Sequence, residues 1–195
     1  MPPIATNRRT EFIDAYRDLV LERGERGATL DALAKHVGAS KGGLLHHFPS
    51  KAALVDGLCG RFTELVAADI AELARSGLTP TQWYLGTSDD YTSPVERTMA
   101  ALIRLRPANE SAITEVLRRA RAQWYSIVLA EVGDETLARA VILLGDGIAY
   151  NAETYGNGDD SAFTSQATVD GVLKLVAELR KVRENSTPAS VAESR

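Results

Sequence analysis

Apolar residues recur at helical spacing in nearly every segment of this 195-residue chain, and this pattern constrains the fold more than any other feature. The first stripe runs through Phe12, Tyr16 and Leu19, which lie on one side of a helix. No segment shows the alternation typical of a half-buried strand. The sequence therefore predicts an all-α protein with about nine helices. Further helical stripes cover 51–76, 95–105, 113–132, 135–155 and 168–182.

Two short helical segments, 30–37 and 41–47, follow the first stripe. Thr29 and Ser40 precede them and are suited to cap them, because a hydroxyl oxygen accepts a hydrogen bond from a first-turn amide. Gly38 lies between them and adopts a tight turn without a Cβ clash. Two short helices joined by a tight turn and supported by a longer first helix predict a helix-turn-helix unit.

The distribution of charge supports two modules. The chain has 22 Lys+Arg and 26 Asp+Glu, a net charge of −4, which argues against a protein that coats nucleic acid by charge alone. Residues 1–60 hold 8 basic and 7 acidic side chains, a net of +1, and residues 61–195 hold 14 and 19, a net of −5. The acidity therefore lies outside the predicted helix-turn-helix unit.

The breaks between stripes predict the domain organisation. We expect a helix-turn-helix domain over 1–50, a ligand-binding and dimerisation domain over 51–184 that begins with a linking helix, and a disordered tail over 185–195. Prolines and glycines predict that 77–94 is a loop with room for a short helix.

Cysteine usage and hydropathy predict a cytoplasmic protein with no membrane partner. Cys59 is the only cysteine, which excludes an intramolecular disulfide and suggests a small core residue. The N-terminus has no apolar h-region, and no stretch approaches about 18 uncharged apolar residues. His36, His46 and His47 lack the spacing of a metal pair, so we expect neither a metal nor a cofactor.

The segment from Thr29 to Leu54 resembles the DNA-binding signature of the tetracycline-repressor (TetR) family, T-x-x-x-I-A-x-x-A-G-V-S-x-G-x-L-Y-x-H-F-x-S-K-x-x-L. Leu45 departs from the signature, which has Tyr there, and His46 or His47 is expected to supply the contact to the DNA backbone instead. The matching positions are Thr29, Ala34, Gly38, Ser40, Gly42, Leu44, His47, Phe48, Ser50, Lys51 and Leu54.

The resemblance implies a homodimer that binds a palindromic operator, with each recognition helix in a major groove. By position, Lys41 and Gly43 would lie nearest the base edges, and the N-terminal arginines would reach the backbone or the minor groove. Because Gly42 and Gly43 have no side-chain donors, close backbone approach and DNA shape would contribute to recognition. The residues expected to bind DNA are Arg8, Arg9, Thr29, Ser40, Lys41, Gly42, Gly43, Leu45, His46, His47 and Lys51.

The resemblance also implies a small-molecule effector. The segments 123–125 and 145–148 resemble those of multidrug-responsive members, which implies an aromatic or cationic effector. Such sites are mostly apolar and aromatic with a few polar groups. The residues expected to bind the effector are Trp83, Met99, Arg104, Trp124, Tyr125, Tyr150 and Asn151.

Family members dimerise through their last two long helices, and the apolar stripes there fit a four-helix seam. The same stripes also fit an intramolecular core, which is the alternative interpretation. The residues expected at the dimer interface are Leu137, Val141, Leu144, Ile148, Val169, Val172, Val176 and Leu179.

Parts of the sequence also fit two other functional classes. Gly38, Ser40 and Gly42 match the G-x-S-x-G elbow of hydrolases, but that motif requires a strand before the serine and a sheet around it. We therefore predict no enzymatic activity. A ligand-binding or adaptor protein that kept the fold and lost DNA binding is left open by Leu45 and the paired glycines.

Overall fold

The computed structural model describes residues 8–155 and 162–186, and within them the chain forms nine α-helices, one 3₁₀ turn and no β-strand. This confirms the predicted all-α class. The helices are α1 Arg8–Gly27, α2 Leu30–His36, α3 Lys41–His47, α4 Lys51–Ser76, α5 Pro80–Thr87, α6 Pro94–Leu105, α7 Glu110–Val132, α8 Glu135–Tyr155 and α9 Gln166–Ser186, with the 3₁₀ turn at Arg106–Ala108.

The first three helices form the predicted helix-turn-helix unit. The predicted stripe of α1, which includes Phe12, Tyr16 and Leu19, is buried. At Gly24 the backbone leaves the helical conformation with φ of 67°, the left-handed region that glycine adopts readily, so α1 is interrupted near its predicted end. Gly38, with φ of 63°, makes the turn between α2 and α3.

The segment predicted as a loop with room for a short helix contains α5. Thr79 and Gln82 form a reciprocal capping box, in which each side chain accepts a hydrogen bond from the other residue's backbone amide. Pro80 occupies the first turn, where its missing N–H costs no helical hydrogen bond. Local capping therefore defines this helix better than its apolar pattern does.

The chain divides into two units, one containing residues up to Glu72 with Thr92–Ala120, and the other containing Leu73–Tyr91 with the residues from Arg121 onward. The first unit includes α6 because α6 packs along α1. The first structural unit is therefore larger than the helix-turn-helix domain predicted to end at residue 50, and that boundary stays a prediction. Of the predicted tail, α9 continues to Ser186, and residues 187–195 lie outside the described residues.

Two arginines of α6 join it to α1. Arg97 Nη2 donates to Asp18 Oδ1 at 2.9 Å, and Arg104 Nη1 donates to the carbonyl oxygen of Leu21 at 2.6 Å. Burial alone would raise the pKa of the Asp18 carboxyl, but hydrogen bonds from Arg17 and Arg97 outweigh it and hold this pKa below its ordinary value. Asp18 is therefore a charged link between α1 and α6.

In the second unit, α5 packs against α8 and α9. A Cβ at Gly145 of α8 would lie 2.8 Å from Tyr84 Cδ1 and 2.9 Å from Ser88 Oγ. Glycine at this position therefore allows the two helices to approach closely. Glu131 Oε2 adds a polar link, because it accepts hydrogen bonds from the amide and the hydroxyl of Thr81 at 2.7 and 2.8 Å.

Candidate nucleic-acid interface

The recognition helix α3 is anchored from its inner side. Leu44 and Phe48 are fully buried, and the Phe48 ring lies 6.4 Å from that of Phe12 in an edge-on arrangement. A Cβ at Gly57 of α4 would come within 3.0 Å of Phe48 Cε1, so the absence of a side chain there makes room for this ring. The outer residues of α3 are consequently held toward solvent.

Both predicted caps are formed. Thr29 Oγ1 accepts a hydrogen bond from the amide of Ala32, and Ser40 Oγ accepts one from the amide of Gly43, each at 3.1 Å. Each hydroxyl uses its oxygen for the cap, which leaves its proton available to a phosphate oxygen. The same two residues thus start the helices and present donors on the exposed surface.

We call the exposed surface made by the caps and by α3 the reading face. A Cβ at Gly42 would meet nothing within 4 Å, so no packing inside this chain requires glycine there. Leu45 is half-buried, so only part of its side chain is exposed on this surface. The reading face consists of Thr29, Ser40, Lys41, Gly42, Gly43, His46 and His47, all exposed.

Lys51 has a structural partner that the sequence analysis missed. Its ammonium group donates to the carbonyl oxygen of Glu25 at 2.5 Å and lies 3.8 Å from Glu25 Oε1. An ammonium group has three donors, so it can hold the end of α1 and still donate to a phosphate. The two partners are 26 residues apart, which is why no local pattern indicated the contact.

The N-terminal arginines lie against aromatic rings of the same unit. The guanidinium carbon of Arg8 lies 5.0 Å from the Phe12 ring centroid, and that of Arg9 lies 4.8 Å from the Phe48 ring centroid. The rings of Phe12 and His47 are 5.4 Å apart. Stacking on these rings therefore holds both arginines beside the end of α3.

The residues predicted to bind an effector fall in both units. Met99 and Arg104 belong to the first, and the Arg104 guanidinium is bonded to the main chain of α1. Trp83, Trp124, Tyr125, Tyr150 and Asn151 belong to the second.

Within the second unit, Trp124 is 6% exposed, and its ring lies 5.4 Å from that of Tyr84. The Tyr84 hydroxyl donates to Asp146 Oδ1 at 3.2 Å, and Arg121 pairs with the other oxygen of this carboxylate. Tyr125 lies beneath the Arg139 guanidinium, and Asn151 donates to the carbonyl oxygen of Gly147. Two aromatic rings and a carboxylate are therefore adjacent here.

A cleft of about 440 Å³ lies elsewhere in the second unit. Glu131 and Arg180 approach each other across it, with a closest N–O distance of 3.9 Å. None of the residues predicted to bind an effector lines this cleft. The sequence did not indicate it, because the polar residues that line the cleft follow no periodic pattern. The lining residues are Thr79, Thr81, Gln82, Glu131, Val132, Leu173, Val176, Ala177, Arg180 and Lys181.

The residues predicted for the dimer seam divide by burial. Leu144 and Leu179 are exposed and Val172 is half-buried, but the other five are already buried within the single chain. Burial within the single chain is what the alternative core interpretation expects for these five, because α5, α8 and α9 pack against one another. The five buried residues are Leu137, Val141, Ile148, Val169 and Val176.

Several large apolar residues of α8 and α9, among them Leu179 of the predicted seam, are exposed, and we call them the apolar stripes. Leu143 and Tyr150 of α8 are 65% and 64% exposed. Leu175, Leu179 and Val182 of α9 are 50%, 43% and 60% exposed and recur at helical spacing. The sequence did not distinguish these residues from the buried stripes, since both are apolar and both have the helical period.

The described residues contain no group of three or more His, Cys, Asp or Glu side chains placed to hold a metal ion. Cys59 is half-buried, and burial followed by the charge of Asp56 raises the pKa of its thiol. Among the helices of 8–155 and 162–186, none combines the length and the apolar character needed to span a bilayer.

Comparison with known proteins identifies the helix-turn-helix unit. Residues 12–58, which run from α1 through α3 into α4, match the family described as bacterial regulatory proteins, tetR family. Over these residues the chain carries the DNA-binding unit of the TetR family. Members of this family are DNA-binding transcriptional regulators and not enzymes, which agrees with the class of protein predicted from the sequence. The order of elements, with helix-turn-helix first and further helices after it, agrees with this assignment.

Individual relatives extend the comparison. The chain is 37% identical over 73 residues to the HTH-type transcriptional repressor KstR2 of Rhodococcus jostii, a match that covers 37% of this chain and spans about a third of that repressor's length, 36%. Across nearly the whole chain, the fold resembles a transcriptional regulator from Rhodococcus sp. Rha1, with a TM-score of 0.66, 20% identity, and coverage of 91% of this chain and 97% of the other.

Two further solved structures share the fold. The ketosteroid transcriptional regulator KstR2 of Mycobacterium tuberculosis has a TM-score of 0.59 and 20% identity, with 89% of this chain and 94% of that chain covered. A transcriptional regulator from Saccharomonospora viridis, crystallised in complex with choline, has a TM-score of 0.63 and 17% identity, with 89% and 95% covered.

Proposed function

We propose that this TetR-family protein is a ligand-responsive repressor that binds a palindromic DNA operator as a homodimer and acts in the cytoplasm. The observation that carries the proposal is the reading face, where exposed donors of Thr29, Ser40 and Lys41 accompany a recognition helix anchored through Leu44 and Phe48. Donors of this kind contact phosphates and base edges in helix-turn-helix proteins. Arg8 and Arg9 lie beside the same helix, where Arg8 also pairs with Glu11 at 2.8 Å and Arg9 adds a further positive charge.

Homodimer formation is supported by the apolar stripes. Leu143, Leu175 and Val182 expose half or more of their surface in the single chain, and a contiguous apolar surface made by such residues would mark protein-protein contact. A second copy supplies an identical surface, as a two-fold interface requires. Two reading faces in one dimer would also compensate for the small net charge of the N-terminal region.

The effector proposal rests on the second unit. The rings of Tyr84 and Trp124 and the carboxylate of Asp146 are the groups that an aromatic or cationic molecule would contact. A relative of the same fold was crystallised with choline, a quaternary ammonium compound. Binding would release the operator by favouring a dimer geometry in which the two recognition helices no longer match successive grooves.

DNA binding is tested by selection from a random pool of duplexes with the purified full chain. We expect enrichment of a palindrome with half-sites about one helical turn apart. Affinity for the enriched duplex should fall steeply between about 50 and 200 mM salt, because phosphate contacts release counterions. An adaptor that has lost DNA binding would enrich no sequence, and this outcome would overturn the proposal.

The effector is tested by thermal shift with choline and with ethidium as the two cationic probes. We expect at least one to raise the melting temperature and to release the enriched duplex, since a ligand bound to the folded state stabilises it. Asp146→Asn should weaken the response, whereas Asp170→Asn on α9 makes the same chemical change as a control. Equal responses in the two variants would contradict the placement of the site.

A further inference from the structure

Asp31 forms an ion pair with Lys41 of the reading face. Its Oδ1 lies 2.9 Å from Lys41 Nζ, and the two side chains are 73% and 58% exposed. Asp31 is in the first turn of α2, and Lys41 is the first residue of α3. The pair thus connects the beginnings of the two helices on the surface that faces DNA in the proposed function.

Packing does not account for this pair. Ion pairs exposed to this extent contribute little to stability, because water screens them and both side chains lose rotamer freedom. The two helices are already held together by Leu33, Ala34 and Leu44, all of which are buried. In the free fold Asp31 contributes mainly as an acidic residue in the first turn of α2, where a negative charge is modestly favourable, and this role does not require the pair with Lys41.

In electrostatic terms, a carboxylate at this position opposes DNA binding. Lys41 is the one Lys or Arg of α3, whose sequence is KGGLLHH, and Asp31 neutralises it. The carboxylate would also repel the phosphates that approach the cap residues. A protein selected only for strong attachment to DNA would gain from losing this charge.

We propose that Asp31 is a specificity-determining residue, an inference that rests on the proposed function. On noncognate DNA it keeps Lys41 paired and repels the backbone, so binding there stays weak. At the cognate site a guanine edge offers O6 and N7 as acceptors that replace the carboxylate as the partner of the ammonium group. Asp31 thereby increases the ratio of cognate to noncognate affinity.

The test measures Asp31→Asn on two duplexes, the one enriched by the wild-type chain and a scrambled duplex of the same composition. The amide keeps the size of the side chain and removes its charge. We expect the variant to bind the scrambled duplex about three- to ten-fold more tightly, with a salt slope steeper by about one per subunit. Affinity for the enriched duplex should change less than about two-fold, so the specificity ratio falls.

Two further variants assign the cause. Lys41→Met should lower affinity for the enriched duplex. In the Lys41→Met background, Asp31→Asn should change affinity for the scrambled duplex less than it does in the wild-type chain, because the two residues act as a pair. Glu22→Gln removes one exposed negative charge from α1 of the same unit and serves as the control for overall charge. The melting temperature of Asp31→Asn should fall only slightly, because the substitution removes one favourable charge from the first turn of α2 and leaves the buried contacts unchanged.

The outcomes separate the inference from the function on which it rests. If Asp31→Asn strengthens binding to both duplexes equally, or if Glu22→Gln has the same effect, the inference is overturned while the protein remains a DNA-binding regulator. If the wild-type chain enriches no sequence and shows no salt-dependent binding, the proposed function fails, and this inference fails with it.

Discussion

The reading face and the apolar stripes are both exposed in the single chain, but their chemistry is opposite. The reading face has hydroxyl, ammonium and imidazole groups and two glycines without side chains. The stripes of α8 and α9 instead expose large apolar side chains such as Leu143, Leu175 and Val182. Polar donors suit phosphates and base edges, whereas exposed leucines suit another protein surface. The extent of exposure alone therefore does not indicate a function, whereas the chemistry of the exposed groups does.

The largest effect is expected from a variant that removes the buried support of the reading face and leaves the apolar stripes intact. Phe48→Ala should lower the free energy of unfolding by about 3–5 kcal/mol, because a fully buried ring is replaced by a cavity against Phe12. Urea denaturation measures this loss. Leu45→Ala on the same helix is the control and should cost far less, since Leu45 is only half-buried. Similar losses in both variants would contradict the described anchoring of α3.

The next variant places a charge in the apolar stripes and leaves the reading face unchanged. Leu175→Glu should convert the proposed dimer to a monomer, because a carboxylate buried in an apolar interface loses its hydration. Sedimentation velocity measures the change. Operator affinity should fall by about 100-fold or more, since two linked reading faces bind far more tightly than one.

A matched variant tests whether the position on α9 matters. Ile103 of α6 is 46% exposed, close to the 50% of Leu175, but it belongs to the other unit. Ile103→Glu should leave both the oligomeric state and operator affinity unchanged. A dimer that survives Leu175→Glu would require a different interface.

The helix-turn-helix unit was predictable because its determinants are local. Thr29 and Ser40 cap helices that begin one residue later, and Gly38 makes the turn that separates them. What the sequence could not indicate there are the long-range partners. The bond from Lys51 to Glu25 joins residues that no periodicity relates, and so does the pair of Asp31 and Lys41.

The C-terminal helices show why the remaining assignments were harder. Val141 and Leu143 are both apolar residues of one helix, yet Val141 is buried and Leu143 is 65% exposed. A helical period gives the relative orientation of side chains but not which side the neighbouring helices cover. The burial of Val141 depends on the packing of α5 and α9 around α8, which is tertiary information. The predicted effector residues likewise remain a prediction.

A smaller effect tests the link between α1 and α6. Asp18→Asn should lower the free energy of unfolding by about 1 kcal/mol at neutral pH, because hydrogen bonds from Arg17 and Arg97 to a charged group are replaced by weaker ones. The folded pKa of Asp18 lies below its unfolded value, so the contribution is present above the unfolded pKa and is lost as pH falls through the folded one.

Urea denaturation at a series of pH values checks this dependence. The difference between wild type and Asp18→Asn should shrink once the pH falls below the ordinary Asp pKa of about 3.9. A difference that stays constant down to about pH 3 would mean that the carboxylate charge does not stabilise the link.

The smallest effect compares one tyrosine from each unit. The hydroxyl of Tyr16 is fully buried and finds no hydrogen-bond partner among the described residues, and burial, followed by the charge of Glu25, raises its pKa. The hydroxyl of Tyr84 donates to Asp146. Tyr16→Phe should therefore leave the free energy of unfolding unchanged or raise it by up to about 1 kcal/mol, whereas Tyr84→Phe should lower it by about 1 kcal/mol. Urea denaturation of both variants measures the two signs, and a loss of more than about 1 kcal/mol from Tyr16→Phe would show that its hydroxyl is bonded in solution.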